Sequence, residues 1–429
     1  MLPSLLSVLF FLLYAVNAVP LAPRASALAG IDTKSFSKTK DYPLPNLGNI
    51  VAHDPNVIQH DGYFYLYKGG VHIPIHRARS LSGPWEQVGT VLDDSSVIPK
   101  QNRSRPWAPT TIQHDDRFYC FYAISENGSR DSAIGVASSD TPVGGNWTDH
   151  GAVVNTGKGD LSDIYPYSVS NAIDGAFITD QETGQSHLLY GSYWHGIFSV
   201  PLTDDLLSVK TPKTPNATNL AYIPDAKSKP IEGSFMTYKA PYYYLWFSHG
   251  KCCHFDIHAF PPMGDEYNIR VGRSKSATGP FVDKDGHDTL KGGGTIVYGS
   301  NHGIVYAPGG VGVLINNGSE ADVLYYHYLN TTSGFAQGDA HLGWNYLHYV
   351  NGWPVAVEGH DLSPPQIQQD YGSHPPSTFR AVPVVYDEAS LSKNSTEWAT
   401  SSGVPTRGIT VGVGVNPPWM AVALSNNGV

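Results

Sequence analysis

A turn followed by an aromatic strand recurs through the middle of this chain, and that recurrence restricts the fold more than any other feature. Ile58-Gln59-His60-Asp61-Gly62-Tyr63-Phe64-Tyr65-Leu66-Tyr67 returns 54 residues later as Ile112-Gln113-His114-Asp115-Asp116-Arg117-Phe118-Tyr119-Cys120-Phe121-Tyr122. Echoes at His187 to Tyr190, Tyr242 to Phe247 and Val323 to Tyr328 bring the number of copies to five. A second element, Ser80-Leu81-Ser82-Gly83-Pro84-Trp85, returns as Ser274 to Phe281, with Trp147 in a similar turn; these read as turns before an outer strand. Units of roughly 50 residues with several strands and Gly/Pro turns are the signature of propeller blades. The expected class is all-β, a five-bladed β-propeller. A lone sheet leaves its faces wet, so neighbouring blades must pack face to face. The 26 Tyr, 15 Phe and 9 Trp supply most of that buried area, and 44 Gly with 32 Pro favour tight turns over long helices. Most aromatic residues are therefore assigned to packing between blades.

The chain ends read differently. Residues 1–18, MLPSLLSVLFFLLYAVNA, carry an apolar run of about twelve residues before Val16-Asn17-Ala18, a small-residue cleavage site. That run is shorter than the roughly 20 residues needed to span a bilayer, so a secretory signal peptide is expected. Seven Asn-x-Ser/Thr triplets, at Asn102, Asn127, Asn146, Asn216, Asn317, Asn330 and Asn394, agree with a secreted glycoprotein. Residues 19–49 read as an N-terminal lead-in, 50–356 as the propeller, and 357–429 as a polar, Ser/Pro/Gln-rich tail that is poorly ordered or loosely docked. Three cysteines are too few for a disulfide scaffold; adjacent Cys252 and Cys253 are open to either a bond or two free thiols. With 27 Lys+Arg against 37 Asp+Glu, the net charge is −10, which excludes the basic stripe of a nucleic-acid binder and disfavours an anionic membrane surface. A monomer is expected.

In a propeller the innermost strands converge, so polar residues at the starts of different blades meet although far apart in sequence. Asp54 in Val51 to Ile58, Asp174 in Asn171 to Phe177, and Glu232 in Pro230 to Phe235 each precede the inner-strand run of a blade. Asp-Pro and Asp-Gly are ordinary turn formers, and a lone Glu is usually a solvated charge. It is the three corresponding positions together that carry weight. Converging carboxylates in an aromatic-lined pocket suit glycoside hydrolysis, where an acid protonates the departing oxygen and a carboxylate handles the nucleophile. The chain has no Gly-x-Ser-x-Gly elbow, His-Glu-x-x-His helix or phosphate-binding Gly loop. His53, His195, His249, His302 and His327 match no transition-metal spacing and read as core or funnel-wall residues.

Several segments also occur in one order known from a family: HDPNVI at 53–58, RPWAPT at 105–110, SAIGVASS at 132–139, NWTDHGAVV at 146–154, NAIDG at 171–175, LLYGSYWHGIFSVPL at 188–202, IEGSFM at 231–236 and YNIRVGRSKSATGPFVDKDG at 267–286. Over nearly all of residues 50–355 the chain resembles the endo-1,5-α-L-arabinanases of glycoside hydrolase family 43. The resemblance implies a five-bladed propeller that cleaves arabinan, a pectin side chain, with inversion. It implies Asp54 as general base, Glu232 as general acid, and Asp174 as the residue that orients the acid and raises its pKa. Trp107 and Trp194 fall in segments that line arabinose subsites, with Ser192 and His53 as further substrate-binding candidates. An exo-acting arabinofuranosidase or β-xylosidase, and a non-catalytic sugar-binding propeller, are the alternatives. Thr110 stands where an acidic residue often follows Trp-Ala-Pro, and Gly175-Ala176 where Pro-Asn is usual. Ala307-Pro308-Gly309-Gly310 stands where many members have Gly-Pro-Gly-His, whose histidine approaches a central metal. No cofactor is required for the chemistry and no metal ligand is assigned. A calcium ion held mainly by water stays compatible, with Gly310 at the usual ligand position and His302 or His327 as substitutes.

Overall fold

The computed structural model describes residues 42–224, 230–301, 303–316 and 321–358. The expected signal peptide, most of the lead-in, all but the first residues of the expected tail, His302, Asn317 and Asn394 lie outside the described residues. After β1 (Asn46–Val51), the chain builds four antiparallel sheets of four strands in sequence order. The first is β2 (Asn56–His60), β3 (Tyr63–Tyr67), β4 (Pro74–Ala78) and β5 (Glu86–Thr90). The second is β6 (Trp107–His114), β7 (Arg117–Ile124), β8 (Ala133–Ser139) and β9 (Thr148–Asn155). The third is β10 (Ala176–Thr179), β11 (Ser186–Tyr190), β12 (Ile197–Pro201) and β13 (Thr218–Ala221). The fourth is β14 (Ile231–Lys239), β15 (Tyr242–His249), β16 (Asn268–Ser274) and β17 (Thr295–Tyr298). The fifth has β18 (Val305–Leu314), β19 (Asp322–Asn330) and β20 (Ala340–Val350), and its outer edge holds both β1 and β21 (Trp353–Val357). This is a five-bladed β-propeller.

The five aromatic repeats are the second strands β3, β7, β11, β15 and β19, and their burial explains their composition. All five residues of β11 and all but the last of β19 are buried, so these strands do not alternate between core and solvent. Neighbouring blades cover both faces. Five apolar clusters mark the five seams: Tyr67 and Tyr122 share the first, Phe121 and Tyr190 the second, Leu189 and Phe247 the third, Trp246 and Tyr326 the fourth, and Leu66 and Tyr325 the fifth. Two of the buried tyrosine hydroxyls show how a polar group is satisfied in a dry seam: Tyr67 donates to Pro142 O (2.7 Å) and Tyr122 to Asp149 Oδ1 (2.5 Å). Cys252 and Cys253 form a disulfide, while Cys120 is a buried free thiol.

Closure uses the first and last of the described strands. β20 pairs with β1 through His341, Gly343 and Trp344 and with β21 from Tyr346 to Val350, so one long strand serves two partners on the same edge. Buried Asn345 lies between them, its Nδ2 donating to Leu44 O (2.9 Å) and Val357 O (3.2 Å). The propeller thus begins before residue 50: β1, which was expected in the lead-in, completes the fifth sheet because an open edge would leave unpaired backbone groups. Leu342, 1% exposed, joins β20 to Val57 and Leu66 of the first blade, and a Cβ on Gly48 of β1 would press into it at 2.5 Å. Leu342→Ala should lower the unfolding free energy by about 2–5 kcal/mol in a urea titration. An unchanged midpoint would mean that this seam does not hold the ring closed.

Candidate active site

Five residues in the left-handed region ring the mouth of the central channel, one from each blade. They are Asp54 (φ 47°), Ala108 (φ 38°), Asp174 (φ 57°), Gly233 (φ 58°) and Gly310 (φ 58°), and all border the same cavity. Side-chain-bearing residues reach this region at a cost of about 1–3 kcal/mol, and such positions concentrate at functional sites. In β6, β14 and β18 the pairing register skips at this level, between Trp107 and Thr110, Glu232 and Phe235, and Gly309 and Gly312. Bulges of this kind re-aim side chains. Asp54 and Asp174 precede their inner strands as expected, whereas Glu232 is already the second residue of β14.

The fold brings the three carboxyl groups together and gives each a different set of partners. Asp54 is held by two histidines: His53 Nδ1 lies 3.0 Å from Oδ2, His327 Nδ1 lies 3.3 Å from Oδ1, and the Asp54 N–H donates to His327 Nδ1 at 3.1 Å. Asp174 Oδ2 accepts the N–H of Gly233 at 2.9 Å, which ties the third blade to the residue after Glu232. Glu232, 7% exposed, accepts from Ser192 Oγ at Oε2 and from the Tyr267 hydroxyl at Oε1 (3.0 Å). Burial alone would raise Asp54, but the charge and hydrogen bond of His53, with His327 beside its other oxygen, hold its carboxyl well below the usual range. Burial likewise opposes charge on His53, and Asp54 overrides it, so His53 is raised; burial keeps His327 low and neutral. Glu232 is pushed up to about 7 by burial and by Asp54, against the hydroxyls of Ser192 and Tyr267. Asp174 is raised by burial, by Glu232 and by Asp54. One ionised carboxylate therefore sits beside protonated carboxyls in one pocket, which can accept a proton at one side and deliver one at the other.

The remaining expected residues separate into two groups. Ser192 and His53, read as substrate contacts, are placed against Glu232 and Asp54. Trp107 opens β6 half-buried, packed against the seam of the second and third blades. Trp194 is 43% exposed in the turn joining β11 to β12, two residues from Ser192, and Tyr193 beside it is 43% exposed with ring centroids 6.2 Å apart. Tyr193 and Tyr267 lie in two of the family-like segments, at 188–202 and 267–286, but were not singled out as site residues. Thr110 and Gly175 both line the channel.

A calcium ion held from position 310 does not fit. A Cβ on Gly310 would lie 2.6 Å from His327 Nδ1 and 2.7 Å from Asp54 Oδ1, so the room a ligand there would need is filled. His53, Asp54 and His327 place donor atoms within 4.8 Å of one another. The two imidazoles, however, are stacked at 4.2 Å and 18°, so their in-plane lone pairs do not converge, and calcium prefers oxygen. Asp283, Asp285 and His287 also cluster, but the Asp283 carboxylate is taken by the N–H groups of Asp285, His287 and Gly294, which makes it the staple of a turn.

A propeller with paired proton donor and acceptor carboxyls at its channel mouth is a scaffold of the glycosidase class. Residues 47–354 match Glycosyl hydrolases family 43, and the chain belongs to that family. It is 58% identical over 368 residues to the probable arabinan endo-1,5-alpha-L-arabinosidase D of Emericella nidulans, covering 85% of this chain and 94% of that protein. It is 47% identical over 341 residues to the probable arabinan endo-1,5-alpha-L-arabinosidase B of Aspergillus flavus, covering 75% and 94%. The structure of Cellvibrio cellulosa alpha-L-arabinanase complexed with arabinohexaose superposes with a TM-score of 0.63 at 27% identity, covering 72% of this chain and 96% of that one.

The hydroxyl of Tyr267 stabilises the charged form of Glu232, so Tyr267→Phe should move the Glu232 titration upward from about 7. The side-chain carboxyl 13C shift followed against pH reads this directly; a downward move would contradict the hydrogen-bond assignment.

Proposed function

We propose that this protein hydrolyses internal α-1,5-L-arabinofuranosidic bonds of arabinan by single displacement, with inversion at the anomeric carbon. The observation that carries the reading is the opposed proton affinity of two carboxyls in one pocket: Asp54 held low by two histidines, Glu232 raised to about 7. Glu232, protonated, delivers its proton to the departing glycosidic oxygen. Asp54, ionised, removes a proton from the water that attacks the opposite face of the sugar. Asp174 orients Glu232 by accepting the N–H of Gly233, the residue that follows it, and the Glu232 charge in turn raises Asp174. Trp194 and Tyr193 offer exposed flat faces on which arabinose rings stack, and Trp107, half-buried at the start of β6, is the further stacking candidate. The names of the relatives at 58% and 47% identity support arabinan as substrate and internal cleavage as the mode.

The same reading places the enzyme outside the cell as a monomeric glycoprotein that needs no cofactor, binds neither nucleic acid nor membrane, and acts on a neutral polysaccharide. Its supports are the leader at 1–18 and the exposed sequon residues Asn102, Asn127, Asn146 and Asn216. Among the described residues no helix is long and apolar enough to cross a membrane.

Linear arabinan should yield oligosaccharides first, and the first-formed reducing end, followed by 1H NMR, should carry the inverted anomer. Monosaccharide from the outset or a retained anomer would contradict the reading. Glu232→Gln and Asp54→Asn should each lower kcat by about 10²–10⁴ while leaving the thermal midpoint unchanged. Activity also has a directed pH dependence. Glu232 must hold its proton, so kcat/KM should fall as pH rises through about 7, and the lowered Asp54 places the acid limb below the ordinary carboxylate range. A rate still climbing well above pH 7 would remove Glu232 as the acid.

A further inference from the structure

Gly309 and Gly310 lie directly beneath two aromatic rings. A Cβ on Gly309 would sit 2.0 Å from the Tyr267 ring, and one on Gly310 would sit 2.6 Å from His327 Nδ1. His327 is 2% exposed and packed between two rings, parallel within 18° to His53 at 4.2 Å and within 18° to Tyr267 at 6.0 Å. The stack joins the two carboxyls assigned to the reaction, since His53 touches Asp54 at one end and the Tyr267 hydroxyl touches Glu232 at the other. His327 in its middle accepts the Asp54 backbone N–H at Nδ1, with Asp54 Oδ1 3.3 Å from the same nitrogen, and its Nε2 is buried without a hydrogen-bond partner among the described residues. A buried nitrogen left unsatisfied costs stability, which the contacts made by Nδ1 and by the two ring faces must offset.

We propose that His327 is a positioning residue for the base: seated on Gly310 and clamped between His53 and Tyr267, it fixes the left-handed turn at Asp54 and the direction of its carboxylate. This rests on the assignment of Asp54 as base. Position 310 must be glycine because any side chain would displace the imidazole and the carboxylate together. His327 does not touch substrate; it acts through Asp54.

The test compares His327→Leu, His327→Asn and Gly310→Ala with wild type on linear arabinan. Leucine keeps the bulk and loses the nitrogen, so kcat should fall about ten- to a hundred-fold at nearly constant KM. The acid limb of kcat/KM should move to higher pH, because a turn no longer pinned by His327 loosens the His53 contact that holds the Asp54 carboxyl low against burial. Asparagine returns an acceptor near the Nδ1 position and should recover most of the rate. Gly310→Ala should reproduce the leucine phenotype and, combined with it, add little. Gly286→Ala, at φ 85° with nothing near its Cβ, isolates the backbone cost and should leave kcat and the acid limb unchanged. Should the leucine variant fail to fold, His327→Asn and Gly310→Ala still decide the question. A His327→Leu or Gly310→Ala enzyme with wild-type kcat and an unmoved acid limb overturns the proposal. So does a loss that follows the fall in thermal midpoint and is not recovered by asparagine. A wild type inactive on arabinan would instead defeat the hydrolase reading.

Discussion

Three carboxyl groups crowd one channel mouth, and they resist being charged together. Burial penalises each anion and the anions repel one another, so proton occupancy is decided by which group has the best partners. Asp54 has two imidazoles, whereas Glu232 has two neutral hydroxyls and Asp174 a single backbone N–H. The charge therefore settles on Asp54. The division of labour in the reaction follows from that asymmetry and not from the carboxyl groups themselves, which are chemically alike.

The propeller makes this proximity affordable in backbone terms. Each blade delivers one left-handed residue to the ring at the channel mouth, and the strain at Asp54, Ala108 and Asp174 is borne by the aromatic seams around it. Rigidity matters to the proposed reaction because the oxygens of Asp54 and Glu232 assigned to exchange protons with water and sugar must keep their spacing. Closure by β1 and β21 on either half of β20 is part of the same requirement: an unclosed ring would let the first and fifth blades separate, and Asp54 of the first is gripped by His327 of the fifth.

Much of this was legible in the residues. The blade count followed from the aromatic second strands, because a strand buried on both faces must be apolar throughout and so stands out locally. Asp54, Asp174 and Glu232 could be picked out because turn residues and carboxylates recur at one place in the repeat. What was not legible depends on contacts between blades. Tyr267 looks like any core tyrosine until its hydroxyl is seen on Glu232. Ser192 and His53 read as sugar contacts, although each is placed against a carboxyl group. Gly309-Gly310 read as a missing ligand, and only the rings of Tyr267 and His327 above them give the glycines a reason. β1 was assigned to a lead-in because a closing strand carries no repeat of its own.

One proton distribution among three carboxyls defines the site. Neutron diffraction from deuterium-exchanged crystals at about pH 5, between the lowered Asp54 and a Glu232 that titrates at about 7, reads it directly. The account predicts no deuteron on either oxygen of Asp54, one on the Glu232 carboxyl, and one on Nε2 of His327. A deuteron on Asp54 with a bare Glu232 would contradict it.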